Sequence, residues 1–110
     1  MTKKEQPLKL KVLSHTQIEQ LLAHLDHWQL QHVDESPRLV KKYQCQQFAD
    51  AMLLANQIGN IAELEKHHPR LVIQWGWVQV SWWTYRQQGL TEMDFIMAAR
   101  CDELAERSAG

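Results

Sequence analysis

The sequence predicts an α+β domain, a four-stranded antiparallel sheet with three helices packed on one face, in the order helix, hairpin, helix, hairpin, helix. Three observations predict it. Apolar residues recur at helical spacing in three separate stretches. The two stretches between them alternate with a period of two and are broken by turn residues. With 110 residues and no linker, repeat or low-complexity segment, the chain is long enough for one core of its own. Residues 13–107 are expected to form this single domain, and residues 1–12, "MTKKEQPLKLKV", a loose N-terminal tail.

The first helix is announced by Ser14 followed by Gln17, the spacing of a capping box, with Thr16 and Glu19 as a second, overlapping box. Ile18, Leu21, Leu22 and Leu25 then form one apolar stripe, and the helix is expected to stop near Asp26. "HWQLQHV" and "RLVKKYQC" read as a hairpin around the turn "DESP", with Leu39 and Tyr43 on one side of its second strand. The second helix is expected over 47–66, with Phe48, Ala51, Met52, Ala55, Ile58 and Ala62 on its buried face. Pro69 prevents it from continuing. Two further strands follow, 71–75 and 77–84, with Gly76 at the turn. In the second of these, Val78, Val80 and Trp82 point one way, and Trp77, Gln79, Ser81, Trp83 and Tyr85 the other. Thr91 with Asp94 opens the third helix, whose "FIMAARC" segment is apolar nearly all round and is expected to be covered on both faces.

Composition narrows the function classes. The formal net charge is −1 and the basic residues are dispersed, which argues against a nucleic-acid interface. No apolar run approaches the ~18 residues of a membrane span. The N-terminal segment has charges but no apolar stretch after them, so it is not a signal peptide. Cys45 and Cys101 stand in no paired motif and read as free thiols of a reducing compartment. The expected location is the cytoplasm.

Chemistry concentrates in His67 and His68, at a helix end just before Pro69. A helix C-terminus favours a protonated imidazole, and imidazole titrates where proton transfer is useful. Adjacent histidines diverge, and no HExxH, HxH or cysteine pair completes a ligand set, so no metal is expected. Neither cysteine has a histidine beside it in sequence, and no GxSxG elbow exists for nucleophilic catalysis. From the residues alone, the pair is either a capped helix end or an acid/base site.

The wider pattern is more specific. Glu63 is followed by "LEK", His67-His68-Pro69, "RLVIQ" and Trp75; nine residues then precede Tyr85, and eight more precede Asp94. With "GLTEMDFIMAARCDEL" after it and "QFADAM" before it, this resembles the pterin-4a-carbinolamine dehydratase family over about 95 residues. The paired tryptophans of "WWTY" are similar to bacterial members. The resemblance implies dehydration of 4a-hydroxytetrahydropterin to quinonoid dihydropterin, with no metal or organic cofactor. It also implies His67 and His68 as acid/base residues and Glu63 and Asp94 as supporting acids. Lys66, Trp83, Thr84 and Arg86 would line the pterin pocket, with Trp83 facing the flat ring and Trp82 in the core. A homodimer or tetramer is implied as well.

The family pattern has a third histidine where this chain has Tyr85, and no histidine follows His68. A phenol, with a reference pKa of about 10, is a poor proton acceptor near neutrality. Loss of one acid/base group commonly costs on the order of 10²–10⁴ in rate. The alternative is therefore a catalytically impaired relative that works as an interaction or assembly factor. One such role within the family is a chaperone for the Rubisco large subunit linked to α-carboxysomes; another is binding to transcription factors.

Overall fold

The computed structural model describes residues 11–109, with side chains through residue 107. The expected tail lies outside the described residues except for Lys11 and Val12. Helix α1 spans His15–Leu22. The Ser14 hydroxyl accepts the Gln17 amide at 3.1 Å, and the Gln17 side chain accepts the Ser14 amide at 2.8 Å. These satisfy two of the amides that a helix start leaves open. Thr16 lies inside the helix rather than capping it, and the helix ends before Asp26 is reached. The chain turns instead through residues 23–27, with His27 at φ 65°.

Strands β1 (Gln29–Val33) and β2 (Ser36–Gln44) form the first hairpin. Asp34 and Glu35 alone make the turn, both at positive φ, the geometry that matches strand twist in a two-residue loop. Ser36 and Pro37, expected in the turn, therefore belong to β2. Helix α2 spans Phe48–Glu65, between Gln47 and Lys66 as caps. Strands β3 (Arg70–Gln74) and β4 (Trp77–Trp82) form the second hairpin, with Gly76 at φ 96° in its turn, a conformation that glycine adopts without steric cost. Helix α3 spans Glu92–Ala109.

All neighbours in the sheet are antiparallel, in the order β1-β2-β4-β3. One face is the core side. Leu39 and Tyr43 of β2 and Val78, Val80 and Trp82 of β4 are buried together with Ile18 of α1, Ala51, Leu54, Ala55, Ile58 and Ala62 of α2, and Phe95, Met97, Ala98 and Cys101 of α3. The alternation read for β4 holds from Trp77 to Trp82, where the strand ends, short of the expected residue 84 and of Tyr85. On α2 the inward stripe is rotated toward Leu54, so Phe48 and Met52, expected inside, are exposed. Ile96 of α3 is also exposed, so in the single chain "FIMAARC" is covered on one side only. The other face of the sheet carries Arg38 over the Trp83 ring at 3.8 Å and Lys42 over the Trp77 ring at 4.2 Å.

Candidate active site

The site forms where α2 ends, β4 ends and α3 begins. Lys66 takes the left-handed conformation (φ 56°, ψ 38°), and its amide bonds back to Ala62 and Glu63. The His67 amide bonds to the Ala62 carbonyl at 3.1 Å. This closes the last turn of α2 and reverses the chain, and Pro69 then commits it to β3. Consecutive residues leave the reversal in different directions. His67 turns inward, with its side chain 11% exposed, and His68 outward, at 57%.

Each imidazole has its own carboxylate. His67 Nε2 lies 2.6 Å from Asp94 Oδ1, and His68 Nε2 lies 2.7 Å from Glu63 Oε2. A carboxylate only accepts, so in each pair Nε2 carries the proton and Nδ1 is the nitrogen free to exchange one. Asp94, at the start of α3, is fully buried. Its Oδ2 accepts from the Thr84 hydroxyl at 2.8 Å and the Thr91 amide at 2.9 Å. Because the Thr84 proton points at Asp94, the Thr91 hydroxyl must donate to Thr84 Oγ, 2.8 Å away. The Thr91–Asp94 spacing read as a helix start is thus one half of a capping box, with the carboxylate reaching back to the cap amide. The same carboxylate uses its other oxygen to orient His67.

The loop after β4 is closed by Thr84 and Gly89, which pair backbone to backbone, with the Thr84 amide 2.9 Å from the Gly89 carbonyl. Between them Tyr85–Gln87 makes one 3-10 turn. Tyr85 sits on it 79% exposed, its carbonyl accepting the Gln88 amide at 3.2 Å and its phenol without a hydrogen bond among the described residues. Lys66 and Arg86 are exposed beside the histidines and beside Tyr85 in sequence. Two residues expected to line a substrate pocket have partners within the protein. Thr84 is buried, with its hydroxyl committed to Asp94 and Thr91. Trp83 lies under Arg38 on the outer face of the sheet, and its neighbour Trp82 is the tryptophan whose ring stacks on His67.

Neither cysteine is arranged as a nucleophile. Burial pushes the Cys101 thiol up to about 12, and burial likewise raises Cys45 above the ordinary thiol range. The sequence reading missed the second polar cluster on α3. There Asp102 accepts from the Trp28 indole, the Lys41 ammonium and the Tyr43 hydroxyl. No spacing signals a contact between residues so far apart in the chain.

The family model of pterin 4 alpha carbinolamine dehydratase matches residues 11–104. A protein of Chlorobium luteolum assigned by name to pterin-4-alpha-carbinolamine dehydratase is 44% identical over 92 residues, covering 84% of this chain and 81% of the relative. Among solved structures, a transcriptional coactivator/pterin dehydratase from Brucella melitensis superposes with a TM-score of 0.78 at 27% identity, covering 86% of this chain and 99% of the other. A pterin dehydratase-like protein identified as a RuBisCO assembly factor in the alpha-carboxysome shares the fold, with a TM-score of 0.61 at 22% identity over 74% of this chain and 93% of that one. With the family model matched over residues 11–104 and a relative 44% identical over 84% of the chain, the chain belongs to the pterin-4a-carbinolamine dehydratase family.

Proposed function

We propose that the protein dehydrates 4a-hydroxytetrahydropterin to quinonoid dihydropterin, with His67 and His68 as its acid and base. The observation that carries this reading is the pairing of each imidazole with a separate carboxylate, which leaves Nδ1 of both rings for proton exchange. The reaction needs two proton transfers. One imidazolium gives a proton to the 4a-hydroxyl, which departs as water. One neutral imidazole takes the N5 proton as the C4a–N5 double bond forms. Imidazoles suit both steps near neutral pH. Asp94 and Glu63 orient the rings and offset the charge that each carries when doubly protonated. Lys66 and Arg86 are the exposed cations available to the substrate's edge, and Tyr85 occupies the position of the family's third histidine. We read the protein as cytoplasmic and as a homodimer or tetramer, with the apolar Phe48, Met52 and Leu53 exposed on α2 and Ile96 on α3 as the surfaces for self-association.

Tyr85 also favours a second reading, that of a catalytically impaired relative acting on a protein partner such as the Rubisco large subunit. One experiment separates the two. The purified protein, a His68→Ala variant and a Tyr85→His variant are each mixed with freshly generated 4a-hydroxytetrahydropterin. Acceleration by the parent that disappears in His68→Ala supports the dehydratase. No acceleration by the parent, with or without a gain in Tyr85→His, overturns it; a gain would locate the loss at Tyr85.

A further inference from the structure

The two carboxylate pairs leave one contact of the site unused. The Trp82 ring lies almost parallel to the His67 ring, at an interplanar angle of 10° with centroids 5.8 Å apart. Trp82 is fully buried on β4, opposite Leu39 of β2. Its indole N–H donates to the Cys101 sulfur at 3.4 Å, and Cys101 is itself fully buried. The indole is therefore fixed by strand pairing, by packing and by a hydrogen bond to α3. His68 has only its exposed carboxylate, and no ring contact among the described residues.

A single hydrogen bond from Nε2 to Asp94 fixes one corner of the His67 imidazole and leaves the ring free to swing about that contact. A flat surface against the ring removes that freedom, and offset aromatic pairs at this separation are attractive in their own right. The electron-rich indole face also meets the positive charge that His67 carries when doubly protonated. We infer that Trp82 is a positioning residue for His67: it sets the plane of the imidazole, so that Nε2 stays on Asp94 while Nδ1 is held toward the substrate. The inference rests on the dehydratase reading for its catalytic consequence and on geometry alone for the stacking.

The test joins a structural readout to a kinetic one. In proton NMR of the parent protein, the His67 ring resonances, assigned by their disappearance in His67→Gln, are expected upfield of the exposed histidines because of the indole ring current. They are expected to shift downfield in Trp82→Phe and further in Trp82→Leu. In the dehydration assay, Trp82→Leu is expected to lower kcat by about tenfold and Trp82→Phe by about threefold, with KM nearly unchanged, the range expected from one aromatic pair. Partial rescue by phenylalanine is the mark of a stacking role. Unshifted His67 resonances in the parent overturn the inference, as does a rise in KM at constant kcat in Trp82→Phe. If Trp82→Leu does not fold, the parent spectrum and Trp82→Phe decide. Shielded His67 resonances that move in Trp82→Phe, in a protein without dehydratase activity, would remove the dehydratase reading and keep the positioning role.

Discussion

Of the carboxylates on helix α3, Asp94 and Asp102 each gather three donors. Asp94 takes His67, Thr84 and the Thr91 amide. Asp102 takes Trp28, Lys41 and Tyr43. The two centres differ in what their donors can do with a proton. The indole of Trp28 and the ammonium of Lys41 are donors with no lone pair to accept one. The Tyr43 phenol is driven above its ordinary range, first by burial and then by its hydrogen bond to Asp102. The Asp102 cluster can only hold the first hairpin and Trp28 against α3. At Asp94 one of the donors is an imidazole with a free second nitrogen, which under the proposed dehydratase reading makes the same architecture a site for proton transfer. On that reading, residue type, more than the shape of the cluster, separates a structural pin from a reaction centre.

Substitution at the two carboxylates tests that contrast most strongly. Asp94→Asn is expected to lower the dehydration rate by about 10²–10⁴, because an amide can donate to Nε2 and so favour the wrong tautomer of His67. Initial rates at saturating pterin would show it. Asp102→Asn is expected to destabilise the fold by about 2–4 kcal/mol, since Lys41 and Tyr43 would lose a charged acceptor in a largely buried setting. Its rate per folded molecule should stay within about twofold of the parent, as the two positions are separated by ~12 Å of helix rise. Urea midpoints measured beside rates would reveal a breakdown of the contrast if Asp102→Asn lost activity as Asp94→Asn does.

Alkaline pH sharpens the comparison from the other side. Cys101 is pushed up to about 12 from an ordinary 9.0, and Tyr43 is raised above 10.0. The folded state thus holds both protons more tightly than the unfolded chain does. Both contributions to stability are complete below pH 9; that of Cys101 is lost as the pH rises through 9–12, and that of Tyr43 begins to be lost above 10.0. The urea midpoint should fall over that range, and Tyr43→Phe should flatten the fall while lowering the neutral-pH stability by about 1 kcal/mol. A midpoint independent of pH up to 11 would contradict it. The smallest effect is expected at the exposed pair. Glu63→Gln should change the rate by no more than about fivefold, and less at high salt, because a solvent-exposed ion pair contributes about 0–1 kcal/mol.

Local signals account for much of what was legible. The Ser14–Gln17 box, the inward parity of Leu39, Tyr43, Val78, Val80 and Trp82, and the break at Pro69 all depend on neighbours within a few residues, which a period or a cap can reveal. The errors arose where a second element chose among faces. Phe48 and Met52 have the right helical spacing for the core, yet the sheet meets α2 along Leu54. Lys41 has the inward parity of β2 but is not excluded from that face, because Asp102 meets its charge.

The chain's own order of residues was sufficient for the α+β class, for the placement of His67-His68-Pro69 at the end of α2 and for the family. The class follows from periodicity, the helix end from Pro69, and the family from the resemblance carried by the motif around His67-His68-Pro69. The assignment of Asp94 to His67 and Glu63 to His68, the stack of Trp82 on His67 and the seating of Arg38 over Trp83 came only with the fold. Hydrogen bonds and ring contacts depend on positions within a few tenths of an ångström and on the direction of each donor. Those are set jointly by α2, β4 and α3 once they pack, and no spacing along the chain contains them.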